Sequence, residues 1–150
     1  VAVTINGKLT VEGNKDRKSK LNLSEIMLTV NDAVAVNGIM NVKPTDAAVQ
    51  TLEAENKVAF TAVKDMNVAG EFAVIKFARS AMKGNLTIAE GATGTFNYAT
   101  YTKIAQVLNI NGKFVRVLSS GNQDSNPAQV WCGDWTEGSK ADIPNGLPQK

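Results

Sequence analysis

The segment Ile5-Asn6-Gly7-Lys8-Leu9 constrains the fold of this chain more than any other. Asn-Gly accepts the positive backbone angles that a two-residue hairpin turn needs. Apolar residues alternate on both sides of it, with Val1, Val3 and Ile5 before and Leu9 and Val11 after. Alternation of period two marks a strand with one buried face. Residues 1–12 therefore predict a β-hairpin. Ile110-Asn111-Gly112-Lys113-Phe114-Val115 echoes the pattern, and Asn37-Gly38 stands between Val34–Val36 and Ile39–Val42. The echo predicts two similar hairpins, though it is too brief to establish a duplication.

Two stretches admit both a strand and a helix. In residues 21–43, Ser24 caps a helix in which Ile26, Met27, Val30 and Val34 recur at helical spacing. Leu23 and Leu28 would form its hydrophobic staple and Asn37-Gly38 its stop. The many β-branched and Asn/Asp residues weaken that helix, and the strand reading is preferred. In residues 96–109, Phe96 and Tyr98 alternate as in a strand. Tyr98, Tyr101, Ala105 and Leu108 fit a helix over about 98–108 with Thr100 as its cap.

Pro44-Thr45-Asp46 opens a further helix over about 45–56, with Ala48, Val49 and Leu52 as its apolar stripe. Residues 58–63, 72–78 and 86–88 read as strands. After Leu118 the chain turns to Gly, Asn, Asp, Ser and Pro, and only Val130-Trp131-Cys132 looks like element material. The expectation is a β-rich α+β domain over 1–118, an antiparallel sheet or sandwich built from Asn-Gly hairpins with one or two short helices. An irregular C-terminal arm would occupy 119–150.

Composition removes several chemistries. The 150 residues include no histidine, which excludes Ser-His and Cys-His nucleophiles and histidine metal ligands. The single cysteine, Cys132, excludes an intrachain disulfide and a thiolate zinc cluster. Asp124, Asp134 and Asp142 are not at calcium-loop spacing, and Gly91-Ala92-Thr93-Gly94 lacks the features of a phosphate loop. Sixteen basic residues against fourteen acidic ones do not make a polycation. No apolar run approaches the length that spans a bilayer, and no signal peptide is visible at Val1. Neither a cofactor nor a metal is expected, and the compartment is open, with a virion or extracellular assembly favoured.

Two functions are weighed. Trp131 and Trp135 lie in the irregular segment beside Cys132, and tryptophan is enriched at contact centres. Strand edges invite pairing with another chain, so Val1, Val3 and Ile5 join these three as candidate subunit-interface residues. The first expectation is thus a non-enzymatic structural subunit of a homo-oligomer, such as a virion coat or tail component or a surface filament. It would be held by strand-edge pairing and the C-terminal arm. The second is a single-stranded nucleic-acid binder, with Phe96, Tyr98 and Phe114 stacking bases. Lys15, Arg17, Lys18 and Lys20 would then touch phosphates. A hydrolase using two carboxylates is a third, weaker reading.

Overall fold

The computed structural model describes residues 1–43, 58–117 and 127–150. These residues form fifteen strands and no helix. The strands wind around three faces, here called A, B and C. The first turn places β1 (Ala2–Ile5) on A, β2 (Leu9–Val11) on B and β3 (Lys20–Leu23) on C. The second repeats this with β4 (Met27–Val30), β5 (Val34–Val36) and β6 (Ile39–Val42). The third has β7 (Phe60–Ala62), β8 (Met66–Val68) and β9 (Glu71–Val74), the fourth β10 (Arg79–Met82), β11 (Leu86–Ile88) and β12 (Thr93–Phe96). In the fifth, β13 (Tyr101–Ile110) runs through both A and B before β14 (Lys113–Arg116) on C. A sixth turn begins with β15 (Gln129–Glu137), again through A and B.

Each strand pairs in parallel with the strand at the same place in the next turn. Phe60 pairs with Ser80 and Ser80 with Thr102, a repeat of about twenty residues, with turns stacked roughly 4.8 Å apart. This is a parallel β-helix. No helix among the described residues covers a sheet, which separates it from the doubly wound α/β arrangement, where helices close both faces. Here three strips of sheet close on one another around a single core.

The core follows from the register. On face A, Leu28, Phe60, Ser80, Thr102 and Val130 form one inward file. On face B, Val34, Met66, Leu86 and Leu108 form another, with Val36, Val68, Ile88 and Ile110 beside it. All of these are buried. Faces A and C meet through an aromatic run, Phe60–Phe72–Phe96–Phe114, with successive ring centroids 6.2, 6.2 and 5.4 Å apart. Each strip hides only its inner side, so its sequence alternates even though its strands are parallel.

The expected antiparallel hairpins are overturned. The strands flanking Asn6-Gly7, Asn37-Gly38 and Asn111-Gly112 do not pair with each other. None of these six residues has a positive φ, as a primed hairpin turn would require. They are corners between faces. At Gly38 and Gly112 the glycine serves close approach: an added β-carbon would strike the Glu12 and Ser19 carbonyl oxygens at 38, and that of Ala89 at 112. Gly70 occupies the same corner one turn beyond Gly38.

Of the two readings of residues 96–109, the helix over 98–108 is overturned, since β13 is a strand throughout Tyr101–Ile110. Thr102, Ile104, Leu108 and Ile110 point inward, while the pairing with β15 shifts between Ile104 and Val107. Tyr101 and Ala105 lie on the outer side and Leu108 on the inner side, so their helical spacing does not correspond to one buried face. Residues 21–43 are strands, as preferred. The expected helix at 45–56 lies outside the described residues.

The C-terminal segment is not irregular throughout. β15 pairs with β13 along its whole length, Asp142 bridges to Lys113, and Gln149 bridges to Trp131. The segment completes a sixth turn on its own chain and starts a seventh.

Candidate functional site

A cleft of about 570 Å³ opens on the outside of face A. Its floor is built by the outward residues of β4, β7, β10 and β13. In register, Thr4, Thr29, Thr61, Ala81, Lys103 and Trp131 form one outward file. Ala81 is small, so the surface dips between Thr61 and Lys103. Arg79 and Lys83 lie either side of Ala81, and Arg79 is in register with Tyr101. The Arg79 guanidinium carbon sits 4.8 Å from the Tyr101 ring centre, a cation–π contact that holds both side chains against the sheet.

Among the described residues that line this cleft, Arg79, Lys83 and Lys103 are cationic. Beneath it the Ser80 hydroxyl is bonded inward to Thr102 at 2.9 Å, while Thr29, Thr61 and Tyr101 are hydroxyl-bearing residues of the lining. The arrangement sets cationic and hydroxyl-bearing side chains on one sheet surface. Among the described residues it contains no nucleophile–base pair. Among the described residues no three His, Cys, Asp or Glu side chains are grouped to hold a metal ion. No helix among them is long and apolar enough to cross a membrane.

The two ends of the coil differ. At the N-terminal end the inward file of face A begins with Val3, in register with Leu28. Val3 is 37% exposed and Val1 87%, against 4% for Leu28. Ile5 and Leu9 are half-buried. Among the described residues, the outer edges of β1, β2 and β3 carry no partner strand. At the C-terminal end, Trp135 continues the Leu108 file and Pro148 is buried one residue before the Gln149 bridge. Lys150 closes over this end, its ammonium 4.1 Å from the Trp135 ring centre and 2.7 Å from the Asp134 carboxylate.

The expected interface residues therefore fall into two groups at opposite ends. Val1, Val3 and Ile5 belong to the open first turn. Trp131, Cys132 and Trp135 belong to β15. Cys132 faces the core, where burial pushes its thiol pKa up and its Sγ lies 3.5 Å from the Gln149 carbonyl oxygen. Trp131 faces outward next to Lys103, and its indole N–H is buried with no hydrogen-bond partner.

Lys15, Arg17 and Lys18 lie on the exposed loop between β2 and β3, and Lys20 starts β3. The Asn14 side chain accepts from the Asp16 and Arg17 amides and shapes the loop, while Lys18 reaches Glu71 at 3.5 Å. Phe96 and Phe114, expected to stack bases, are fully buried, and Tyr98 lies under Lys76 at 5.7 Å.

Sequence reasoning passed over Arg79, Lys83 and Lys103. They are scattered along the chain and meet only because β10 and β13 stack. The available signal was the pattern apolar-x-apolar-x-Gly. It recurs at Leu9–Gly13, Val34–Gly38, Met66–Gly70 and Leu108–Gly112 and would have placed these strands in one repeat. Comparison with family models, with curated proteins and with solved structures yields no match, so the chemistry of the site is read from its own geometry.

Proposed function

We propose that this chain is a non-enzymatic structural subunit that assembles through the open first turn of its β-helix. The observation that carries the reading is Val3. It stands in the same inward file as Leu28, yet 37% of it is exposed. A file of buried apolar side chains thus ends in solvent, beside unpaired strand edges. Such an edge is a template for another strand.

The occupant that fits is a second copy of the chain, approaching end to end. At the opposite end Pro148 is buried and Lys150 lies over Trp135, which favours a contact between like ends. Two first turns meeting about a two-fold axis would pair β1 with its equivalent in antiparallel fashion, an isologous contact that closes on itself. Fully burying an exposed valine side chain contributes about 1.5–3 kcal/mol; Val1, 87% exposed, has most of that to gain and Val3, 37% exposed, a smaller share. Virion components and surface filaments are settings in which a rigid rod of this kind serves.

Light scattering after size exclusion, over a range of concentrations, tests the proposal. The full chain should pass from monomer to dimer as concentration rises. Val3→Lys should abolish the dimer, while Thr4→Lys, which points outward, should not. A chain that stays monomeric at millimolar concentration overturns the reading. No observation favours nucleic-acid binding over this, because Phe96 and Phe114 lie inside the core.

A further inference from the structure

We propose that the outer edge of β15 is a docking site for the first strand of a second copy, and that residues 148–150 occupy it from within as a blocking strand. The inference rests on the reading that the open first turn is the assembly surface, and names a second place where that turn docks.

Register is the first reason. Gln149 bridges to Trp131 in parallel, donating to the Val130 carbonyl oxygen at 2.8 Å and accepting from the Cys132 amide at 2.9 Å. The same ladder joins each turn of the coil to the next, so it sets Pro148 level with Val130 and Lys150 level with Cys132. Val130 and Cys132 are the buried, inward residues of β15 on face A. On β1 the inward residues are Val3 and Ile5, in register with Leu28 and Val30. A second copy entering head to tail would therefore lay Val3 over Val130, Ile5 over Cys132 and Thr4 over Trp131.

The second reason is how the two occupants compare. Gln149 directs its N–H and C=O at β15, so its neighbours direct theirs away. Pro148 has no N–H to offer a further strand, and a proline there blunts the edge it creates. Lys150 brings an ammonium where β1 would bring Ile5. It is held by the Trp135 ring and the Asp134 carboxylate. The ion pair has both side chains half or more exposed, so it contributes little. β1 would make the same two backbone bonds and add apolar cover. The blocking strand prevails because it is tethered, which gives it a high effective concentration at this edge.

A fluorescein-labelled peptide of residues 1–8, added to the full chain and read by anisotropy, tests the proposal. Pro148→Asp combined with Lys150→Glu puts a charge at the buried position and another beside Asp134, and so releases the blocking strand. The peptide should bind this variant at least tenfold tighter than the unaltered chain. Lys150→Glu alone changes an exposed side chain, should melt normally, and should tighten binding at least threefold even if the double variant fails to fold. A peptide carrying Val3→Lys and Ile5→Lys should bind at least tenfold more weakly, although it has more positive charge. Equal binding to the unaltered chain and to Lys150→Glu overturns the proposal. The peptide then pairs at the first turn, and the first-turn reading stands. Absent binding to Lys150→Glu at millimolar peptide also overturns it. Failure of the unaltered chain to dimerise is read separately by light scattering and counts against the first-turn reading alone.

Discussion

The Ser80 and Thr102 hydroxyls are hydrogen-bonded to each other at 2.9 Å inside the core, with 1% and 0% of the residues exposed. They occupy adjacent turns of one inward file, flanked by Phe60 and Val130. A buried hydroxyl that loses its partner keeps its desolvation cost, about 1–3 kcal/mol. Ser80→Ala and Thr102→Val should therefore each lower the unfolding free energy by about that amount. The double variant should recover most of the loss, because both polar groups are gone. A double-mutant cycle by urea denaturation reads this, and additive losses would contradict it.

Glycine matters at one kind of corner and not at another. A β-carbon on Gly70 would collide with the Gly38 carbonyl oxygen, whereas one on Gly7 meets nothing within 4 Å. The obstacle at Gly70 is backbone, so Gly70→Ala must push two turns apart. It should cost about 1–3 kcal/mol or more. Gly7→Ala, at a φ that L-residues accept, should raise stability by about 0.4–1 kcal/mol through the unfolded state. Thermal melts of the two variants should move in opposite directions.

Much of this was visible in the order of residues, and the reason for the rest is physical. Val34, Val36, Met40 and Val42 alternate, and all four are buried, so strand identity and inward face follow from local pattern. Pairing does not. The partner of Phe60 is Ser80, and no local rule separates a corner that leads to the next face from a turn that folds a strand back. Asn-Gly serves both. The apolar-x-apolar-x-Gly repeat is also masked by uneven spacing. Residues 12–19 lengthen the corner between β2 and β3, and the fourth turn carries Ala89-Glu90-Gly91-Ala92 where the second, third and fifth have two residues. The face A cleft was illegible because Lys83 and Lys103 come from different turns.

The corner from face C to face A holds residues other than glycine in the left-handed region, with φ of 57° at Glu25, 61° at Phe77 and 59° at Ala99. For an L-residue this conformation costs roughly 1–2 kcal/mol, and glycine escapes it at an entropic cost of about 0.5–1 kcal/mol. Ala99→Gly should thus stabilise the protein by up to about 1 kcal/mol. Gly91→Ala, at φ 83° in the corner from face B to face C, should do the reverse. Paired denaturation curves decide whether this corner stores strain.

Lys150 links two titrations at the closed end of the coil. It donates to the Asp134 carboxylate, which holds that carboxyl below its ordinary range, with the Trp135 amide contributing. Burial is the main influence on Cys132 and pushes its thiol up, and the Lys150 charge opposes this in part. A carboxyl with a lowered folded pKa adds stability that is present above its unfolded value, about 3.9. That contribution drains away as pH falls through the lower folded value. Lys150→Met should raise the Asp134 pKa toward the ordinary range, read by NMR titration. It should also weaken the fall in melting temperature between neutral and acid pH. In the same variant the Cys132 thiol should climb further, so its reaction with a disulfide reagent at neutral pH, already slower than that of a free thiol, should slow again. A thiol that reacts faster in Lys150→Met would instead mean that Lys150 acts by shielding Cys132, not by its charge.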